Sequence, residues 1–279
     1  MSTAALRDAI DLLTTRPLLL VPGLGCGLLA TLIWVIMYQY GAFFAGRLII
    51  IVMLAAVFFI TAAFATIRAD HAPAKEVFQG AATYYFRLLT PTLVIMFGII
   101  VVFVLVILTL ALFGRQPDYG LMTFLTIGIV LPTVALLCFY DCAVVFEDKK
   151  TFESLNRSIG IVTANLFSVI LFYMTCFFIF CTISFTFFVA WTAALADKLE
   201  PITHYNDSQL ANFAAEQIVP LIGKDGYLVT AVCIFAAVTL LVPILLTYKA
   251  CFFRIVAGTT VPIQQMVGEY DNKGRWYKY

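Results

Sequence analysis

The sequence predicts an all-α, polytopic membrane protein with six transmembrane helices and three cytoplasmic, interfacial amphipathic helices. Three observations carry this. Of the 279 residues, 63% are hydrophobic and only 12% charged, against about half and about a quarter in a soluble domain. The apolar residues gather in six continuous runs, each near the roughly 20 residues that cross a bilayer core. Lys and Arg fall mostly on one side of those runs. With a mean hydropathy of +1.00, the bilayer must be the solvent. A net charge of +1 exerts no general pull towards nucleic acid.

The chain opens with an amphipathic ramp. Leu6, Ala9, Ile10 and Leu13 share one helical face, with Arg7, Asp8 and Asp11 opposite. Ser2 and Thr3 are candidate caps, and Pro17 marks the joint with span one, 18–40. This run exceeds the about 7–15 residues of a secretory core, so it reads as a retained span. Its "GLGCG" (Gly23 to Gly27) reads as a close helix-packing surface rather than a phosphate loop. Span two covers 47–67.

A second ramp follows, with Pro73 in its first turn. Phe78, Ala81, Ala82 and Tyr85 form its apolar face, with Glu76, Gln79 and Thr83 opposite. Pro91 marks its joint with span three, 89–113, and span four covers 121–146. The third ramp, with Thr151 as its cap, sets Leu155, Ser158, Ile159 and Val162 against Glu153, Asn156 and Arg157. Spans five and six cover 166–195 and 228–256. The runs are continuous rather than alternating, which indicates helices and not barrel strands.

Thirteen basic residues lie on the side of the termini and the ramps. Only Arg47, Arg115, Lys198 and Lys224 lie on the other, completing the 17. The positive-inside rule puts both termini in the cytoplasm of a cell-membrane protein. Each ramp precedes an odd-numbered span, and each would lie with its apolar face down in the inner headgroup layer. The even spans also echo one another: "CFYDCAVVFEDKK" ends span four, "LTYKACFFRIV" ends span six, and span two matches more faintly through Phe64. One membrane domain, 1–260, thus reads as three ramp-plus-hairpin units at about 2–70, 71–150 and 151–260, followed by a cytoplasmic tail, 261–279.

These units, with "VVFEDKKTFESLNRSIGIVTANLF" the most telling stretch, resemble a group of uncharacterised archaeal and bacterial six-span membrane proteins. That group is similar to the membrane domain of some glycerophosphodiester phosphodiesterases. The resemblance covers most of the chain and implies a fold. It carries over no catalytic residue, because the phosphodiesterase chemistry sits in a separate soluble domain.

The chain shows no ionisable residue at mid-span and no recognised catalytic or nucleotide-binding motif. Asp141, Lys249 and Arg254 lie near cytoplasmic span ends, where snorkelling suffices. Seven scattered cysteines read as small hydrophobes, all but Cys142 and Cys251 deep in apolar runs. His71 beside Asp70, and His204 near Asp207, fall short of a metal site. Outer loop three, about 196–227, is acidic, with a short amphipathic helix suggested by Leu210, Phe213 and Ala214. Asn206 opens a glycosylation sequon there.

Two further features stand out. The tail ends in "RWYKY", where Arg275 and Lys278 interleave with Trp276, Tyr277 and Tyr279, suiting anionic headgroups or a protein groove. Asp141 and Lys249 follow matching tyrosines, Tyr140 and Tyr248, and so share a depth. Either they face each other as a structural ion pair or each snorkels alone. The sequence therefore indicates a non-enzymatic structural or accessory protein with membrane-protein partners or self-association and no cofactor. The alternative is a transporter or binder of an apolar or lipid-like solute, and a membrane enzyme ranks third.

Overall fold

Pro17 lacks an amide and fixes its own φ, and the first ramp ends just before it. The computed structural model describes residues 2–69, 74–114, 118–204, 218–258, 269–270 and 276–277. Helix α1 (Ser2–Thr15) gives way at Arg16 (φ −128°, ψ 84°) to a single 3-10 turn, Pro17–Leu19, and then to α2 (Leu20–Tyr40). Gly41, at φ 81°, is the whole connection to α3 (Ala42–Arg68), which starts five residues before the expected span two. Helix α4 (Ala74–Leu112) is followed by α5 (Tyr119–Leu136) and α6 (Tyr140–Phe146). Then come α7 (Thr151–Ala164), α8 (Leu166–Ala194), α9 (Ala196–Thr203) and α10 (Ile218–Ala257), the last kinked at Gly223, whose φ is 61°. Six stretches are long and apolar enough to cross a membrane: the protein is an all-α, six-span membrane protein. In the tail, β1 (Glu269–Tyr270) pairs antiparallel with β2 (Trp276–Tyr277).

The three ramp joints differ. The first breaks at Pro17 as expected, and the third breaks at Asn165 (φ −128°, ψ 38°). The expected joint at Pro91 does not break the helix: α4 runs unbroken for 39 residues. The Thr90 and Thr92 hydroxyls donate to the Phe86 and Leu88 carbonyls (both 2.8 Å), adding bonds to either side of the proline defect. The expected single span four, by contrast, is broken at Leu137–Phe139 into α5 and α6. At the third ramp the cap falls one residue early. Thr151 is the first helical residue, and the Lys150 amide donates to the Glu153 carboxylate (3.4 Å). The Ser2 hydroxyl is engaged with Thr175 (3.1 Å) and Tyr248 (2.7 Å). Its partners lie inside the spans of α8 and α10, so α1 reaches into the bundle rather than only lying on a headgroup layer.

Helix α2 packs on α10 through Gly23 and Gly27. A Cβ at Gly23 would come within 2.4 Å of the Thr239 carbonyl oxygen, and one at Gly27 within 2.4 Å of the Thr239 hydroxyl. Gly25 faces Phe59 of α3 in the same way. "GLGCG" is therefore a close-approach surface.

The core lies at the end of the bundle that carries the ramps, here the ramp end. Residues 61–67 of α3 are all buried, as are most of 139–145 and 247–253. Phe139, Phe172, Tyr248 and Phe252 stack there, with Phe172 5.0 Å from Tyr248 and 4.7 Å from Phe252. Beyond Pro91, α4 has no buried residue, and neither has α5 among its described residues.

The ramps bury faces slightly rotated from those expected. Helix α1 buries Ala5 and Ala9, while Ile10 is exposed and Leu6 and Leu13 are half-buried. Helix α7 buries Ser154, Ser158, Ile161 and Val162, while Ile159 is exposed and Leu155 half-buried. The first part of α4 buries Ala81 and Leu88, leaving Phe78 and Ala82 exposed and Tyr85 half-buried. Alanine and serine let helix backbones approach closely, and lipid holds large side chains as readily as protein does.

Candidate functional site

The break in span four creates the most unusual chemistry in the molecule. Ending a helix inside an apolar layer frees amides and carbonyls that must find partners. Ser158 of α7 meets two of them: its hydroxyl accepts from the Phe139 amide (3.0 Å) and donates to the Leu136 carbonyl (2.9 Å). Tyr173 of α8 donates to the Ala135 carbonyl (2.8 Å). The buried face of the third ramp therefore holds a serine for a polar task.

Asp141 stands in the first turn of α6, just past the break. One carboxylate oxygen accepts from the Cys142 amide (2.7 Å) and the other meets Lys249 Nζ of α10 at 2.5 Å. The side chains are only 9% and 16% exposed. The structure thus brings the two residues together, and neither snorkels alone. Lys249 also lies 5.9 Å from the Phe64 ring centre of α3. The neighbouring tyrosines are anchored too: Tyr140 bonds Thr92 of α4 (2.8 Å), and Tyr248 bonds Ser2 of α1. One polar cluster therefore ties α1, α4, α6, α8 and α10. Removing a charge from water costs several kcal/mol, about what a well-placed partner restores. The pair fixes which helices meet more than it adds net stability.

Around this cluster the helix ends at the ramp end are linked by arginines: the sequence placed Arg157 on a polar ramp face and Arg254 where it could snorkel, and assigned Arg68 no role. Arg68 of α3 donates to the Val145 carbonyl at the end of α6 (2.5 Å). It also grips Asp148 through two bonds, 2.6 and 3.1 Å. Arg157 of α7 holds Glu147 (2.9 Å) and donates to the Ala257 carbonyl at the end of α10 (3.3 Å). Arg254 of α10 donates to the Ile67 carbonyl of α3 (2.8 Å). The C-terminal carbonyls of α3, α6 and α10, the negative poles of three helices, thus each meet an arginine from another helix.

Asp148 terminates α6 at φ 53°, a left-handed conformation that aspartate tolerates better than most residues. The Arg68 guanidinium and then the Tyr84 hydroxyl hold its carboxyl down at about 2. Arg87 stands 3.6 Å away. Apolar sequence followed by "EDKK", with a serine on an apolar ramp face, was the signal available for this network.

Cys142 and Cys251, the two set apart from the apolar runs, are the buried ones, and the other five are half-buried. Among the described residues no three His, Cys, Asp or Glu side chains converge as metal ligands do. His204 is exposed at the end of α9. Trp276 and Tyr277 form β2. Arg275, Lys278, Tyr279 and Asn206 lie outside the described residues, as do Asp70, His71, Pro73, Asp207 and the helix expected around Leu210, Phe213 and Ala214.

Fold and site together define a six-span helical membrane protein with a broken fourth span and a buried ion pair at its ramp end. More particularly, the chain belongs to the DUF7847 family: a domain of unknown function whose family profile matches residues 3–256. No curated protein and no solved structure matches it.

Proposed function

We propose that this chain is a non-enzymatic structural or accessory protein of the cell membrane, a subunit of or partner in a larger membrane complex. The observation that carries this is the α4–α5 hairpin. From Thr92 to Leu112, and throughout α5, no described residue is buried, while the hydrophobic core gathers at the ramp end. A packed base thus holds two long apolar helices that the rest of the chain leaves largely uncovered, as a docking element for other membrane helices. The ion pair and the arginine links serve to hold that base. Five aromatics, Phe64, Phe139, Tyr248, Phe252 and Phe253, fill the ramp end, which weighs against a passage for an apolar solute.

Two further readings belong to this proposal. Both termini lie in the cytoplasm, supported by thirteen basic residues against four. The chain is built of three related ramp-plus-hairpin units. This is supported by the main hydrophobic cluster, eleven of whose nineteen buried residues come from 61–67, 139–145 and 247–253, the stretches around Phe64, Tyr140 and Tyr248.

The test is a photo-crosslinking amino acid at Phe97 or Phe124, both highly exposed, activated in native membranes. A protein adduct of fixed stoichiometry is expected, either another membrane protein or a second copy. Lipid adducts alone, with a monomer in mild detergent, would remove the reading.

A further inference from the structure

A groove of about 630 Å³ runs between α1, α8 and α10, within the roughly 300–1,000 Å³ usual for small-molecule sites. Leu6, Ile10 and Leu13 of α1 form one wall, and Leu240 and Ile244 of α10 another. The third is one stripe of α8 from Thr175 to Ile183, about 12 Å of helix at 1.5 Å per residue.

We infer that this groove is a site for one acyl chain of a bilayer phospholipid. The α8 and α10 walls lie within membrane spans, so hydrocarbon and not water is the medium that meets them. No charged side chain among the described residues lines the groove. Its three threonines spend their hydroxyl hydrogens on their own helices: Thr14 on the Asp11 carbonyl (2.9 Å), Thr175 on Leu171 and Thr182 on Phe178 (both 2.8 Å). A ligand finds no free hydroxyl donor there, which selects against headgroups and polar solutes.

A partner helix is the other apolar occupant to consider. Helices in this molecule meet through glycine, alanine and serine, as at Gly23, Gly27 and Ala9. The groove has none of these residues, and its branched and aromatic walls keep another backbone at a distance. A flexible chain follows such a surface where a helix does not. The occupied groove joins α1 to α8, helices also bonded through Ser2 and Thr175. The site is independent of the accessory role, since Phe97 and Phe124 test that role and α8 tests this site.

The experiment reconstitutes the full chain in phosphatidylcholine vesicles containing a phospholipid with a mid-chain diazirine. Labelled positions are mapped by mass spectrometry. Thr175, Ile179 and Ile183 should label severalfold more than Phe177 and Phe185, which are exposed on the same helix. Groove labelling should saturate at a single lipid per chain. Thr182→Trp and, from the opposite wall, Leu240→Trp should each abolish it while leaving Phe177 and Phe185 labelled. That unchanged labelling shows that each variant is folded and inserted. Equal, non-saturating labelling of both faces would reduce the groove to ordinary lipid contact and overturn the inference. Groove labelling that survives both tryptophans would do the same, as would a crosslink from Ile179 to protein instead of lipid.

Discussion

Residues 61–67 of α3 are buried on every face, whereas Thr92 to Leu112 of α4, in the most apolar of the six spans, includes no buried residue. In water that ordering would be reversed. In lipid an apolar side chain gains little by moving from acyl chains to protein. Hydrophobicity therefore decides that a segment spans, and other properties decide what it packs against. At the ramp end those properties are small side chains and polar groups in need of partners. The α4–α5 hairpin carries small residues as well, but a Cβ at Gly98 or Gly128 would meet nothing of this chain within 4 Å, and the hairpin stands apart.

The largest effect expected from breaking this contrast is at the ion pair. Lys249→Met leaves Asp141 charged and without its partner, and should cost about 3–5 kcal/mol of stability in detergent unfolding. Adding Asp141→Asn should restore part of the loss, with a coupling of about 1 kcal/mol or more. Strict additivity would mean that the two residues do not act as a pair.

Glycine substitutions sharpen the comparison, because the two regions should respond with opposite signs. A methyl at Gly23 meets a backbone oxygen that cannot move aside, so Gly23→Ala should lose about 1–3 kcal/mol. Gly98 on α4 has open space around it, so Gly98→Ala should be neutral or gain up to about 1 kcal/mol from helix propensity. Thermal melts in mild detergent compare the two, and equal losses would sink the distinction.

Ser158→Ala tests the break in span four. It strands the Phe139 amide and the Leu136 carbonyl in an apolar setting and should cost about 1–3 kcal/mol. Amide hydrogen exchange at Phe139 should rise selectively; protection unchanged from wild type would show that the serine is dispensable there.

The smallest effect is at Asp148, which is half-exposed and partly screened by solvent. Its carboxyl is depressed from 3.8 to about 2 in the folded protein. The stability it contributes is complete above 3.8 and is lost as the pH falls towards about 2. Asp148→Asn should remove that share of the acid sensitivity. Parallel acid curves for variant and wild type would show that the Arg68 contact contributes nothing.

Much of the site was half-visible in the sequence. Matching tyrosines placed Asp141 and Lys249 at one depth, yet depth leaves open which way a side chain points around its helix. Arg68, Arg157 and Arg254 each donate to a backbone carbonyl of another helix, and a carbonyl has no letter in a sequence. The break at Leu137–Phe139 was hidden because continuous apolar sequence reads as continuous helix. The serine that makes the break tolerable lies 19 residues later.

By itself, the sequence determined the solvent, the number of spans and the closeness of α2 to its neighbours. Each of these follows from local composition: apolar length against bilayer thickness, and glycines that permit close approach. Only the tertiary structure decided that the ramps turn Ala5, Ala9, Ser154 and Ser158 inward and that Pro91 is tolerated within α4. It also decided that Asp141 meets Lys249 and that no described residue of α5 is buried. These outcomes depend on partners distant in the chain, and in a membrane the apolar pattern that would forecast such contacts in water points towards lipid instead.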